Sequence, residues 1–328
     1  MRVSVRQQRD EPLKKNGKTA KLAKKGPERA QRKGWGREAR KSRLTRKLLT
    51  VPQQLRVFCE YMGVSVSVLA SGSRGNSAVV QTSKTKILVD AGISCRETFK
   101  RLKVLGEDPR SLSAILITHE HSDHVYGLLT LAKKLKVPVF MTGATHQTWA
   151  KALRDENGMR PKLERLENFA SGRSFQIGDI AVTPFTIPHD AADPVGFTFR
   201  AEGVKIGFAT DLGYVPASVR DHLQRCEVLV MESNHDVEML RVGPYPWSVK
   251  QRVMSRVGHL SNDALAQFFS SDYDGEAAYV VLAHLSEHNN HPELARGAAE
   301  KALGPRQTLL RNRVMLASQT EPLEPIRL

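Results

Sequence analysis

Thr118-His119-Glu120-His121-Ser122-Asp123-His124 places three histidines and an aspartate within six positions. The run before it, Ala114-Ile115-Leu116-Ile117, is apolar and reads as a buried strand that ends at the motif. In an extended loop, side chains at i and i+2 point the same way, so His119 and His121 can grip one cation. Asp123 and His124 then turn toward a second position. Imidazole and carboxylate together suit zinc, manganese or iron, so the ligand set alone does not select the metal. A surface loop that happens to be rich in histidine is the competing reading. A strand, a tight cluster and an apolar helix over residues 125–135, in direct succession, argue against it.

The chain has 328 residues, enough for one large domain or two small ones. No run approaches the roughly 18 consecutive apolar residues of a membrane helix. The N-terminus lacks the apolar core of a secretory signal, which predicts a cytoplasmic protein with no membrane partner. Three scattered cysteines, Cys59, Cys95 and Cys226, fit a reducing compartment and no disulfide framework.

The net charge of +16 is concentrated at one end. Residues 1–61 hold 19 Lys or Arg against five acids, while the rest of the chain holds 31 bases and 29 acids. Residues 1–56 are too poor in apolar side chains to offset their ordering entropy, so a disordered tail is expected, with a transient helix near 37–49. One reading makes this tail a basic arm drawn to nucleic acid. The other starts translation at Met62, just before the first strand. Either way, residues 62–328 are expected to form the domain that carries the chemistry.

From Gly63 the pattern changes. Val64-Ser65-Val66-Ser67-Val68-Leu69 alternates as a strand, and residues 70–76 form a small-residue loop. Residues 78–81 and 87–89 read as a hairpin turning at Ser83-Lys84-Thr85. A helix over 96–105 leads to the strand at 114–117. Further strands are expected at 137–141, 175–177, 180–187, 195–200, 205–209, 228–231 and 279–283. Helices are expected at 145–156, at 248–256, after Asn262 and at 292–303. This alternation predicts an α/β fold in which helices flank a sheet sandwich, four layers in all.

Three more candidate ligands each follow an apolar strand: His189, Asp211 and His284. Strand ends on one edge of a sandwich can converge, and rigid elements place ligands better than loops do. Any one of them alone reads as an ordinary polar cap; beside the first motif they complete a set. His119, His121 and His189 are assigned to one metal, and Asp123, His124 and His284 to the other. Asp211 is left to bridge them. A water between two cations, deprotonated near neutral pH, would be a ready nucleophile.

With these residues in place, the sequence resembles the metallo-β-lactamase superfamily, and most closely its YycJ-like branch. The resemblance spans residues 64–295. It rests on Ala70-Ser71-Gly72-Ser73 with Gly75-Asn76, Asp90-Ala91-Gly92, the 119–124 motif, His189-Asp190-Ala191-Ala192 and Ala209-Thr210-Asp211-Leu212-Gly213. Glu232-Ser233-Asn234-His235-Asp236, Gly258-His259-Leu260-Ser261-Asn262 and His284-Leu285-Ser286 complete it. It implies an αββα sandwich with a dinuclear site at one edge of the two sheets. No cysteine sits at a ligand position, unlike in the dinuclear zinc β-lactamases, so antibiotic hydrolysis is not expected. Only residues 190–210 separate His189 from Asp211, which leaves no room for the long arm with which the tRNA 3′-end endonucleases grip tRNA.

The resemblance also implies that Glu232 and His259 pair near the leaving group, His259 acting as a general acid. They are taken as catalytic together with Asp123; a buried pair that stiffens the site is the competing reading. Ser73, Asn76, Asn234, His235 and Asn289 are expected to contact substrate, and Asp90 to orient the metal loop by hydrogen bonds. The expected protein is a hydrolase with two divalent cations, zinc first and manganese or iron next, cleaving phosphodiesters in DNA or RNA. Hydrolysis of a thioester, lactone or cyclic phosphodiester is the alternative chemistry. A metal-dependent nucleic-acid-binding or regulatory protein without turnover is the alternative class, and the near-neutral body weighs against any nucleic-acid track. Nothing in the pattern selects a monomer over a homodimer.

Overall fold

The structure is a computed structural model that describes residues 63–153, 162–304 and 311–328. The basic tail and its expected helix lie outside the described residues, as does the end of the helix expected at 145–156.

The first sheet is built from β1 (Ser65–Ala70), β2 (Ser77–Gln81), β3 (Lys86–Val89), β4 (Ala114–Leu116), β5 (Val139–Thr142) and β6 (Leu166–Phe169). The second contains β7 (Phe175–Ile177), β8 (Ile180–Thr186), β9 (Val195–Ala201), β10 (Val204–Ala209), β11 (Val228–Glu232), β12 (Tyr279–Ala283) and β13 (Arg313–Leu316). The C-terminal β14 (Ile326–Arg327) returns to the first sheet, so each sheet has seven strands. The orders are β14-β1-β2-β3-β4-β5-β6 and β13-β12-β11-β10-β9-β8-β7. In each, one half is antiparallel, and the half that leads into helices, β3 to β6 or β10 to β13, is parallel.

Why the strands read as unbroken apolar runs follows from their two buried faces. In β4, Ala114 and Leu116 face the second sheet, while Ile115 points outward to the helices. In β11, Val228 and Val230 face the first sheet, and Leu229 and Met231 face the other helical layer. The same period of two splits β12 into Val281 and Ala283 on one side and Val280 and Leu282 on the other. Helices α1 (Cys95–Val104), α3 (Leu128–Leu135) and α4 (Gly143–Ala152) cover the first sheet with Leu102, Leu128, Leu131 and Trp149. Helices α5 (Ala217–Leu223), α8 (Asn262–Ser271) and α9 (Pro292–Leu303) cover the second with Leu223, Leu265, Phe269 and Leu303. Three apolar cores thus separate four layers, the αββα arrangement expected of the sequence.

Two local readings change. The motif is not extended throughout: His121 sits at φ −60°, ψ 147° as the N-cap of the short helix α2 (Ser122–Val125). The expected helix over 125–135 is therefore two, broken around Gly127, whose Cα lies against the Ile93 carbonyl. The other two helices, α6 (Val237–Val242) and α7 (Trp247–Val253), lie between β11 and α8. No helix among the described residues is long and apolar enough to cross a membrane.

Candidate metal centre

The site lies where the strands of both sheets end. The motif follows β4, His189 follows β8, Asp211 follows β10, Glu232 closes β11 and His284 follows β12. Strand register brings the last three together. In the parallel ladder Ala209 pairs with Met231, and Glu232 with Ala283, so the chain leaves adjacent strands at one level. Asp90, Asp211 and His284 then adopt left-handed backbone angles, φ 60°, 63° and 54°. Such angles are strained for residues with a Cβ, and here all three redirect a strand end into the site.

The motif is held by its neighbours. Thr118 donates its backbone N–H and hydroxyl to Asp90 Oδ1, and Asp90 Oδ2 lies 2.8 Å from His124 Nδ1. That contact orients His124 with Nε2 toward the cleft, the role expected of Asp90. The backbone N–H of Asn76 reaches the Asp123 carbonyl at 2.7 Å, and Ala91 N–H reaches the His124 carbonyl at 2.8 Å. Gly92 is required at this seam, because a Cβ there would stand 1.7 Å from the Asp123 carbonyl oxygen.

His119 Nε2 and His189 Nε2 lie 3.1 and 3.2 Å from His121 Nδ1. A tetrahedral ion with ~2.0 Å metal–nitrogen bonds separates its ligands by roughly 3.3 Å, so the three nitrogens fit one cation. His119 and His189 fix their remaining nitrogens on the Thr118 hydroxyl and the Gly258 carbonyl. Burial and the neighbouring imidazoles pull His119 well below its usual pKa, and burial likewise lowers His189. Both shifts favour the neutral ring, the form a metal ligand needs.

A second group adjoins the first. His124 Nε2 lies 3.4 Å from Asp123 Oδ2 and 3.3 Å from Asp211 Oδ2. His284 Nε2 is 3.6 Å from Asp123 Oδ2, and its Nδ1 is 2.8 Å from Asp211 Oδ1. Asp211 Oδ2 is buried with no hydrogen-bond donor aligned on it, although His124 Nε2 is near. A buried carboxylate oxygen without a donor fits a place for a cation. Burial would lower His124 and His284, but the surrounding carboxylates outweigh it and raise both well above the usual imidazole range. Burial would raise Asp123 and Asp211, and the facing histidines reverse that to hold both low.

Glu232 is fully buried. Its Oε2 accepts the N–H groups of Leu212 and Leu260, and its Oε1 lies 2.7 Å from His259 Nδ1 and 3.0 Å from His284 Nδ1. Burial alone would raise Glu232, but His259 and His284 bring it down to about 2. The carboxylate in turn overrides burial to raise His259.

A cleft of about 340 Å³ opens over this cluster. Ser73, Asp123, Asp211, Asn234, His259 and His284 line it. Among the residues expected to touch substrate, Ser73 is exposed there, and Asn234 reaches it while donating Nδ2 to the His284 carbonyl. Asn76 is buried against the motif, its Nδ2 3.1 Å from Asp123 Oδ2. His235 and Asn289 are buried outside the lining, with Asn289 bonded to Ser286. Tyr245, Arg252 and Val253 also line the cleft. No sequence motif singles them out; the available signal is the acid-free basic stretch over residues 239–262.

A family model described as the beta-lactamase superfamily domain matches residues 85–284. An exodeoxyribonuclease YycJ of Bacillus anthracis is 42% identical over 242 residues, covering 74% of this chain and 90% of that protein. An exodeoxyribonuclease WalJ of Streptococcus pneumoniae is 37% identical over 234 residues, covering 71% and 86%. Among solved structures, the metallo-β-lactamase fold protein YhfI of Bacillus subtilis superposes with a TM-score of 0.60 over 81% of this chain and all of that one, at 15% identity. The chain belongs to the metallo-β-lactamase superfamily.

Proposed function

We propose that residues 62–328 form a hydrolase domain that uses two divalent cations to cleave phosphodiester bonds in DNA. The observation that carries this reading is the junction of two ligand groups at one cleft: His119, His121 and His189 beside Asp123, His124 and His284, with Asp211 between them. The relatives named exodeoxyribonucleases support DNA as the polymer. Zinc is the first expectation for an imidazole-rich set, with manganese or iron compatible. Bound cations supply charge neutralisation at the phosphate and activation of water near neutral pH.

The chain's own groups complete the chemistry. Glu232 binds His259 through Nδ1, which leaves Nε2 for the cleft that His259 lines. The Glu232 carboxylate raises the His259 pKa, which favours a protonated ring able to pass its proton to the departing oxygen. Free, buried Cys95 and Cys226 support a reducing, cytoplasmic setting.

The test is hydrolysis of end-labelled DNA and of bis-p-nitrophenyl phosphate, against a thioester and nitrocefin, with Mn²⁺ or Zn²⁺. Cleavage of both diesters, with the DNA shortening from one end, is expected. Turnover of the thioester with neither diester cleaved would overturn the reading.

A further inference from the structure

Between Glu232 and His259 the chain builds one wall of the cleft. Residues 239–262 contain Arg241, Lys250, Arg252 and Arg256 and no Asp or Glu, in a body whose charges otherwise nearly balance. The same stretch gathers exposed apolar side chains. Of nine large ones among the described residues, five lie here: Val242, Trp247, Val249, Met254 and Val257. Trp247 is 62% exposed at the start of α7, and Tyr245, two residues earlier, lines the cleft.

The wall is well anchored, so this exposure is not a frayed loop. Buried Lys250 donates to the Arg241 carbonyl, and Gly243 packs so tightly that a Cβ would stand 2.2 Å from Asn289 Oδ1. His259 N–H returns to the Val253 carbonyl, and Asn234 N–H to the Leu260 carbonyl. Arg252 commits only Nε, to Asp190, and Arg256 lies over the Tyr214 ring with no carboxylate partner among the described residues.

We infer that Tyr245 and Trp247, with Arg252 and Arg256, form a stacking rim that takes the unpaired end of a single-stranded nucleic acid into the cleft. Ring faces on a rigid wall receive bases whatever their identity, and guanidinium groups receive the phosphates between them. A duplex hides its base faces, so the rim selects single strands or frayed ends. Because the wall starts at Glu232 and ends at His259, a base held on it sets the adjoining phosphate beside the proton-delivering pair. The choice of a polynucleotide rests on the phosphodiesterase reading above; the stacking itself is tested without turnover.

The full chain, loaded with metal, is titrated with a short oligodeoxynucleotide that carries 2-aminopurine at one end or the other. A phosphorothioate terminal linkage holds off cleavage. Stacking quenches the terminal 2-aminopurine. Trp247→Ala weakens binding by roughly fivefold or more, and Trp247→Phe restores most of it. In turnover of the unmodified strand, the Trp247→Ala loss falls on KM and not on kcat. Bis-p-nitrophenyl phosphate hydrolysis by the same protein reports that its metal centre is intact. Quenching without cleavage of any diester would keep the rim and overturn the nuclease reading. Cleavage of DNA with no quenching, and with Trp247→Ala binding like wild type, would overturn the rim.

Discussion

The two sheets supply the site differently. The first supplies a single stretch, in which His119, His121, Asp123 and His124 all follow β4. The second supplies His189, Asp211, Glu232 and His284 singly, from the ends of four strands. Yet each candidate cation position draws on both, since His189 completes the pair His119 and His121, while Asp211 and His284 face Asp123 and His124. The contiguous half is braced by hydrogen bonds from the end of the adjacent strand β3, above all those of Asp90 to Thr118 and His124. The dispersed half owes its shape to β-ladder register, which no short segment contains.

The largest expected effect comes from Asp211, the residue proposed to serve both positions. Asp211→Ala should lower bound metal at both and take turnover to background, whereas His284→Ala should leave about one equivalent. Metal content by mass spectrometry checks this, and two full equivalents in the Asp211→Ala protein would break the shared assignment. Next in size is His259→Ala, which should slow diesters with poor leaving groups by ~100-fold or more, and p-nitrophenyl diesters far less. An equal loss on both substrates would make the Glu232–His259 pair a structural brace. Asp90→Ala probes the contiguous half through a residue assigned to hold His124 in place by hydrogen bonding. Removing such an orienting partner weakens metal binding by ~10–100-fold, here at the position of His124, with the three-histidine position retained.

The pH dependence of metal uptake sharpens the contrast. Burial lowers the pKa of His119 and His189, so these two rings should release little proton when the first cation binds. Burial opposes protonation of His124 and His284, but the facing carboxylates raise both pKa values, which favours protonated rings in the metal-free protein. The second cation must displace those protons, so its affinity should rise more steeply as pH increases. Calorimetry in buffers of different ionisation enthalpy counts the protons released at each step. The smallest effect lies far from the site. Burial opposes ionisation of Glu107, but its bonds to Lys86 and Gln81 outweigh that and depress its pKa. A depressed carboxyl stabilises the fold above its unfolded pKa, and the contribution fades as pH falls through the folded value. Glu107→Gln should therefore lose about 1 kcal/mol or less near neutrality and converge with wild type in acid, as read by denaturant melts.

Most of the fold was legible because strands buried on both faces leave continuous apolar runs, as in β4, β11 and β12. Strands whose pairing depends on distant partners were not. β6 is half exposed, and its sequence, Leu166-Glu167-Asn168-Phe169, carries no strong alternation. β14 is two residues long and exists as a strand because the edge of β1 accepts it. α6 left a weak signal, the Asp236 side chain capping Met239 N–H, among residues that otherwise read as loop. Period-two geometry accounts for His119 and His121, whereas the helix that begins at Ser122 accounts for Asp123 and His124.

By itself the sequence determined the four-layer class and named the candidate donors, because burial period and donor chemistry are written residue by residue. Only the tertiary structure decided that Asp211 lies between His124 and His284, that Glu232 faces both His259 and His284, and that Tyr245 and Arg252 line the cleft. Those facts depend on the register of parallel strands and on three left-handed turns at strand ends, which the packing of the whole sandwich imposes.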